Sequence, residues 1–228
     1  MKPWSIHKED CVEFLKSMSS ESVDLVITDP AYESLEKHRA IGTTTRLDNW
    51  FEIFPNSRFQ ELLPEIYRVL KKNTHFYMFC DQETMFVVKP IAEACGFKFW
   101  KPIIWDKVSL GMGYHYRARY ECILFFEKGK RKLNNLGIPD ILTFKRVRGG
   151  YPTEKPVGLT KVLIDQSSRP GELVVNPFMG SASVGVAALD LGREYAGCDI
   201  SDRSIDLASD RLQDRYECLE LQRQLGCR

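Results

Sequence analysis

Two hydrophobic patterns alternate along the chain. Val23-Asp24-Leu25-Val26-Ile27-Thr28, Thr74 to Cys80, Phe97 to Trp105, Tyr120 to Glu127 and Leu173-Val174-Val175 are short, nearly continuous apolar runs. Strands buried on both faces read this way. Ser5 to Asp10 and Glu194 to Ile200 are further strand candidates. Between the runs lie helix-like segments: Cys11 to Met18, Phe59 to Lys71, Glu83 to Ala94, Leu159 to Ser167 and Ser183 to Leu191. Ser201-Asp202 opens a final helix to about Gln224. Pro64 requires the second of these helices either to start near it or to kink. Glu33 to Phe54 is polar and irregular and reads as a long loop. Strands alternating with helices predict an α/β domain with a mostly parallel sheet covered on both faces. In such a sheet ligands sit at the carboxyl ends of the strands, near the switch point.

Candidate chemistry gathers at two of those strand ends. Val23 to Thr28 runs into Asp29-Pro30-Ala31-Tyr32, a proline-stiffened polar corner beside an aromatic ring. Such a corner can hold a flat ring bearing an exocyclic amino group. The Asp29 carboxylate accepts one N–H, the Pro30 carbonyl accepts the other, and Tyr32 offers a stacking face. An Asp-Pro turn with no ligand is the plainer reading of the same residues. The second end is Asn176-Pro177-Phe178-Met179-Gly180-Ser181-Ala182-Ser183, small residues between a strand and a helix start, where a ligand can approach the backbone closely. About twenty residues on, a strand ends in Asp199, the spacing at which a carboxylate meets ribose hydroxyls in a Rossmann-type unit.

With these motifs in this order, the chain resembles the permuted β group of DNA amino-methyltransferases, which modify adenine N6 or cytosine N4. Asp29-Pro30-Ala31-Tyr32 is similar to the family's Asp-Pro-Pro-Tyr, and Asn176 to Ser183 to its Asp-Pro-Phe-x-Gly-Ser-Gly-Thr loop. Thr153-Glu154-Lys155-Pro156 matches its Thr-Glu-Lys-Pro, and Glu9-Asp10 with Ser22-Val23-Asp24-Leu25 matches the approach to the catalytic strand. The likeness covers about Ile6 to Ile200. Three positions depart from it: Ala31 for proline, Asn176 for an acid and Ala182 for glycine. Ala182 is tolerable unless that position needs positive φ.

The resemblance implies a Rossmann-like class I fold with a seven-stranded sheet, and S-adenosylmethionine as methyl donor without a metal. Asp29, Pro30 and Tyr32 would be catalytic. Asp199 would hold the ribose, Lys155 would lie near the methionine portion, and Asn176, Phe178, Gly180, Ser181 and Ser183 would line the cofactor pocket. Asp10 would lie near the adenine ring of the cofactor, or else cap the Cys11 helix. An Asp at the first motif position usually accompanies N6-adenine methylation, and the target base must leave the duplex to be reached. The family is known from restriction–modification systems. RNA and protein-glutamine relatives place the cofactor loop before the catalytic corner, whereas here Gly180 follows Asp29; a non-catalytic nucleic-acid binder is the other alternative. The expected organisation is one domain over 1–228: a catalytic half to about 127, a short basic target-recognition segment at about 128–151, and a cofactor half from about 152.

Composition changes this picture in one respect. The 228 residues are 43% hydrophobic and 28% charged, enough for one domain with a full core. No apolar run approaches the roughly 20 residues that span a bilayer, and the chain opens unlike a secretory signal. Seven cysteines without C-x-x-C pairing read as reduced thiols, so a cytoplasmic protein without membrane, disulfide framework or metal site is expected. Net charge is only +1, but it is segregated. Lys101 to Arg148 holds eleven Lys or Arg against four Asp or Glu, and Asp190 to Arg228 holds six against nine. The resemblance implies double-stranded DNA as the partner, and the segregated charge offers it a footprint in Arg117, Arg119, Lys130, Arg131, Lys145, Arg146 and Arg148, and in the long loop in Lys37, Arg39 and Arg46. So short a basic segment predicts phosphate contact more than base reading, with a short or relaxed target unless a homodimer supplies more.

Overall fold

The computed structural model describes residues 2–33, 52–111, 115–149, 151 and 153–226. Its elements in chain order are β1 (Trp4–Lys8), α1 (Cys11–Ser17), β2 (Val23–Thr28), α2 (Phe59–Val69), β3 (Leu70–Cys80), α3 (Gln82–Ala94), β4 (Lys98–Asp106) and β5 (Tyr120–Lys128). Then follow β6 (Ile141–Thr143), α4 (Val157–Ser167), β7 (Leu173–Asn176), α5 (Ser183–Asp190), β8 (Glu194–Asp199) and α6 (Asp202–Gln224). They form the expected α/β fold around one sheet ordered β1-β8-β7-β2-β3-β5-β4-β6. The sheet has eight strands where seven were expected. The extra one, β6, runs parallel to β4 at the sheet edge and seats Leu142 in the core.

β2 lies at the centre and is buried along its whole length. Val23 and Val26 join one apolar cluster with α1, α2 and α3, while Leu25 and Ile27 join the other with α4 and α5. Both faces are thus covered, which explains the continuous apolar run. Asp24 fits there because its carboxylate accepts from Lys71 Nζ at 2.7 Å and Leu173 N at 3.0 Å.

Two boundaries differ from expectation. Of the two expectations for Pro64, a start near it is not met: α2 runs from Phe59 through Pro64, preceded by a 3-10 turn at Asn56–Arg58. Burial of Phe59, Leu62, Leu63, Ile66 and Val69 on one side outweighs the lost backbone bond. β3 begins at Leu70, directly after α2, where the sequence pattern predicts helix to Lys71 and a strand only from Thr74; Asn73 takes a positive φ of 60° within it.

Strand direction decides which residues can reach the site. β1, β8, β7, β2 and β3 are mutually parallel, but β5 runs antiparallel to both β3 and β4. Cys80, at the end of β3, therefore faces Cys122 near the start of β5, and Thr74 faces Lys128. Tyr120 and Glu121 lie at the carboxyl end of the parallel strands, and Lys128 lies at the other end, about 20 Å away. The described cysteines are all free thiols. No helix among the described residues is long and apolar enough to cross a membrane.

Candidate active site

β2 and β7 are adjacent and in register at Val26–Val175. Asp29 and Phe178 each lie three residues beyond that pair, so the two motifs emerge side by side at the same height. Between them is a cleft of about 320 Å³. All eleven residues expected to be catalytic or cofactor-binding line it: Asp29, Pro30, Tyr32, Asp10, Lys155, Asn176, Phe178, Gly180, Ser181, Ser183 and Asp199.

The β7 side is shaped by its own backbone. Asn176 Oδ1 accepts from Phe178 N at 3.0 Å and turns the chain as an aspartate would. Gly180 takes φ +48°, and a Cβ there would stand 3.3 Å from the Tyr151 ring. Its N–H donates to Asp199 Oδ2 at 3.0 Å, while Asp199 Oδ1 accepts from Ser201 N at 3.0 Å. Each Asp199 oxygen keeps a lone pair for a ligand hydroxyl. Ala182 caps α5 at φ 55°, so this position does use the left-handed region that glycine tolerates and alanine does not favour. Phe178 meets Phe54 edge-on with centroids 5.0 Å apart, closing the floor toward α2.

Asp10 has a structural task as well as its place on the wall. Oδ1 caps α1 by accepting from Val12 N at 3.0 Å, and Arg58 holds both oxygens. The Arg58 hydrogen bond, against opposing burial, keeps this carboxyl below the usual carboxylate range.

The β2 side is a chain of charge. Lys155 was expected beside the cofactor's methionine portion; in the structure its ammonium is engaged by Asp29 Oδ2 at 2.5 Å and Glu121 Oε1 at 3.0 Å. Glu121 also accepts from Lys107 Nζ at 2.7 Å and from the Tyr32 hydroxyl at 3.2 Å. Burial, countered in part by Lys155, pushes the Asp29 carboxyl up to about 6. Burial acts on Glu121 in the same direction, but two ammonium groups outweigh it and hold this carboxyl down. Burial, with the nearby carboxylates, drives the Tyr32 phenol far above its ordinary value, so it stays a donor. The Asp29 oxygen not bonded to Lys155 and the Pro30 carbonyl remain as acceptors at the corner. Thr28 Oγ1, one residue earlier, is buried without a partner among the described residues.

Glu121, Arg58 and Lys107 escaped the sequence reading. Arg58 left no signal, being 48 residues from Asp10. Glu121 left one: a carboxylate at the head of the buried run Cys122 to Phe126 needs a cationic partner.

The expected DNA footprint divides. Lys145, Arg146 and Arg148 follow β6 at the cleft end and are exposed. Arg117 and Arg119 lie in the β4–β5 hairpin at the same end. Arg117 Nε donates to Gly111 O at 2.7 Å, and Arg119 forks onto both oxygens of Asp106. Lys130 and Arg131 follow the far end of β5, and Arg131 faces Glu172 at 3.5 Å. The antiparallel direction of β5 separates these two from the cleft. Lys37, Arg39 and Arg46 lie outside the described residues. No cluster of three potential metal ligands occurs among the described residues.

Residues 23–210 match the family model of N6/N4 DNA methylases, described as DNA methylase. The chain is 27% identical over 253 residues to the DNA adenine methyltransferase YhdJ of Escherichia coli K12, covering 93% of this chain and 84% of that one. Its backbone superposes on the M1.HpyAVI–SAM complex with a TM-score of 0.70 at 23% identity, covering 92% of this chain and all of the other. It also superposes on the cytosine-N4-specific PvuII DNA methyltransferase with a TM-score of 0.72 at 16% identity, covering 94% and 91%. With the family model spanning both halves of the cleft, the chain belongs to the N6/N4 DNA methylase family.

Proposed function

We propose that the protein transfers a methyl group from S-adenosylmethionine to the N6 amino group of an adenine flipped out of double-stranded DNA. The observation that carries this reading is the single cleft in which the Asp29 corner faces the Gly180–Asp199 loop. The adenine assignment draws support from Asp29 at the first motif position and from the adenine-specific relative YhdJ.

The β7 side fits the cofactor. The missing Cβ at Gly180 leaves backbone for close approach, Asp199 presents a lone pair on each oxygen toward a ribose diol, and Phe178 offers an apolar wall. When bound, S-adenosylmethionine supplies a methyl made electrophilic by its sulfonium.

The remaining work falls to the corner. An aromatic amine is a poor nucleophile because its lone pair is delocalised into the ring. The free Asp29 oxygen and the Pro30 carbonyl accept its two hydrogens and draw the nitrogen toward a tetrahedral shape, lone pair facing the methyl, and the Asp29 oxygen takes the proton that the nitrogen sheds once it carries the methyl. Tyr32 stacks on the extruded base and fixes its plane. The protein thus supplies alignment and preorganised acceptors. Lys145, Arg146 and Arg148, exposed at the cleft end, neutralise phosphates of the flanking duplex.

Parallel incubations of methyl-labelled S-adenosylmethionine with duplex DNA, RNA or protein, followed by digestion and mass spectrometry of the products, test the reading. N6-methyladenine is the expected product. N4-methylcytosine would move the assignment to cytosine, and label found only in RNA or protein would overturn it.

A further inference from the structure

Glu121 is assigned no part in the chemistry above, yet it touches more of the corner than any residue of the motif. Its side chain is 9% exposed and joins three segments far apart in sequence. Oε1 accepts from Tyr32 at 3.2 Å and Lys155 at 3.0 Å, and Oε2 accepts from Lys107 at 2.7 Å. The result is a buried relay of alternating charge, Lys107–Glu121–Lys155–Asp29, with the Tyr32 ring hung from its second member. Cys80 and Asp81, from the end of β3, face the same group.

We propose that Glu121 is the positioning residue of the catalytic corner. Its hydrogen bond with the Tyr32 hydroxyl fixes the plane of the ring on which the target base stacks. Its bond with Lys155, at 3.0 Å beside the 2.5 Å contact with Asp29, divides that ammonium between two carboxylates, so that its charge is not spent on Asp29 alone. The inference rests on the reading of Asp29 as acceptor for the target amine.

The electrostatics run in the same direction. Besides burial, the negative charge of Glu121 raises the Asp29 carboxyl and the positive charge of Lys155 lowers it. A neutral residue at 121 removes the first effect and leaves Lys155 to Asp29 alone, so Asp29 titrates lower and binds Lys155 more tightly.

Glu121→Gln tests this, since the amide keeps an acceptor for Tyr32 and loses the charge. The expected result is a fall in kcat of about tenfold or more, with KM for S-adenosylmethionine within about twofold. The acid limb of the kcat profile, and the Asp29 titration followed by carboxyl NMR in the ligand-free protein, should both move down by about half a unit or more. Tyr32→Phe should lower kcat without moving that limb. A Glu121→Gln protein with wild-type kcat, or one whose activity falls while the Asp29 titration stays in place, overturns the proposal; the second pattern is that of simple destabilisation. The NMR titration needs neither DNA nor cofactor, which separates the two readings. A moved titration in a protein that methylates no DNA overturns the proposed function and leaves the division of Lys155 standing. An unmoved one in a protein that does methylate DNA overturns this inference alone.

Discussion

Arg58 grips Asp10 with both terminal guanidinium nitrogens, Nη2 on Oδ1 and Nη1 on Oδ2, each at 2.9 Å. The pair ties the turn before α2 to the cap of α1. The Arg58 hydrogen bond lowers the Asp10 pKa, burial opposing it. Stability from a depressed carboxylate is fully present above its unfolded pKa of about 4 and is lost as pH falls through the lower folded value. Both side chains are about a third exposed, so the pair contributes no more than about 1 kcal/mol. Urea unfolding should show Arg58→Ala less stable by about 0.5–1 kcal/mol at neutral pH, with the difference gone near about pH 2–3. An equal deficit at both pH values would mean that the arginine acts through packing on Phe54.

Under the proposed function Asp29, raised to about 6 by burial against the opposing pull of Lys155, is the stronger acceptor for the target amine while ionised. Single-turnover methylation should therefore fall off below about pH 6. Asp29→Asn presents an amide of the same shape and should lower the transfer rate by about a hundredfold or more. Cofactor affinity by calorimetry should stay within a few-fold, because this oxygen is proposed to contact the base and not the cofactor. A variant with near-normal turnover removes Asp29 from the chemistry.

Ala31 stands where the family has a second proline. Its carbonyl accepts from Phe54 N at 2.8 Å, and among the described residues its N–H donates no hydrogen bond. Ala31→Pro thus sacrifices no bond, and thermal unfolding should show stability unchanged or raised by about 0.4–1 kcal/mol with activity kept. Loss of folding would show that the backbone at 31 lies outside the range proline allows.

Ala182 has φ 55° and is fully buried. Glycine would relieve about 1 kcal/mol of left-handed strain. It would also give up about 0.8 kcal/mol of methyl burial and lose more backbone entropy on folding. The opposing effects nearly cancel, so Ala182→Gly should shift stability by less than about 1 kcal/mol and leave cofactor affinity intact. A large loss in calorimetric affinity would show that the methyl shapes the cofactor wall.

The two groups of basic residues give opposite expectations. Neutralising Arg146 and Arg148 together should weaken binding to all duplexes alike and flatten the dependence of affinity on salt by up to about two charges' worth of slope. Lys130→Ala, at the far end of β5, should leave the slope in place. A double variant that kept its nonspecific affinity and changed the methylated sequence would make this segment a reader of bases.

The corner and the cofactor loop were legible because each is a local motif whose flanking strand is apolar on both faces. Their meeting was legible because β2 and β7 are neighbours in the expected order. Three things were not. Ile141-Leu142-Thr143 is too short a run, between Pro139-Asp140 and Phe144-Lys145, to announce a strand. Tyr120 to Glu127 reads the same in either direction, so the distance that β5 puts between Lys130 and Arg131 and the cleft could not be read from it. The partners of Lys155 lie 126 and 34 residues away, and no periodicity pairs an ammonium with carboxylates across such gaps.

The reversal of β5 also governs where this fold tolerates growth. β4 ends at Asp106 and β5 begins at Tyr120, both at the cleft end, so extra chain between them would overhang whatever the cleft holds. Each doubling of such a loop costs only about 0.6 kcal/mol in closure entropy and leaves the pairing of β4 with β5 untouched. Chain inserted after Lys128 would emerge about 20 Å from the cleft and could not reach it without a long return. A library that varies the length of the β4–β5 connection therefore samples new recognition surfaces on an unchanged catalytic frame, whereas one built on the other end of β5 samples only the outside of the protein.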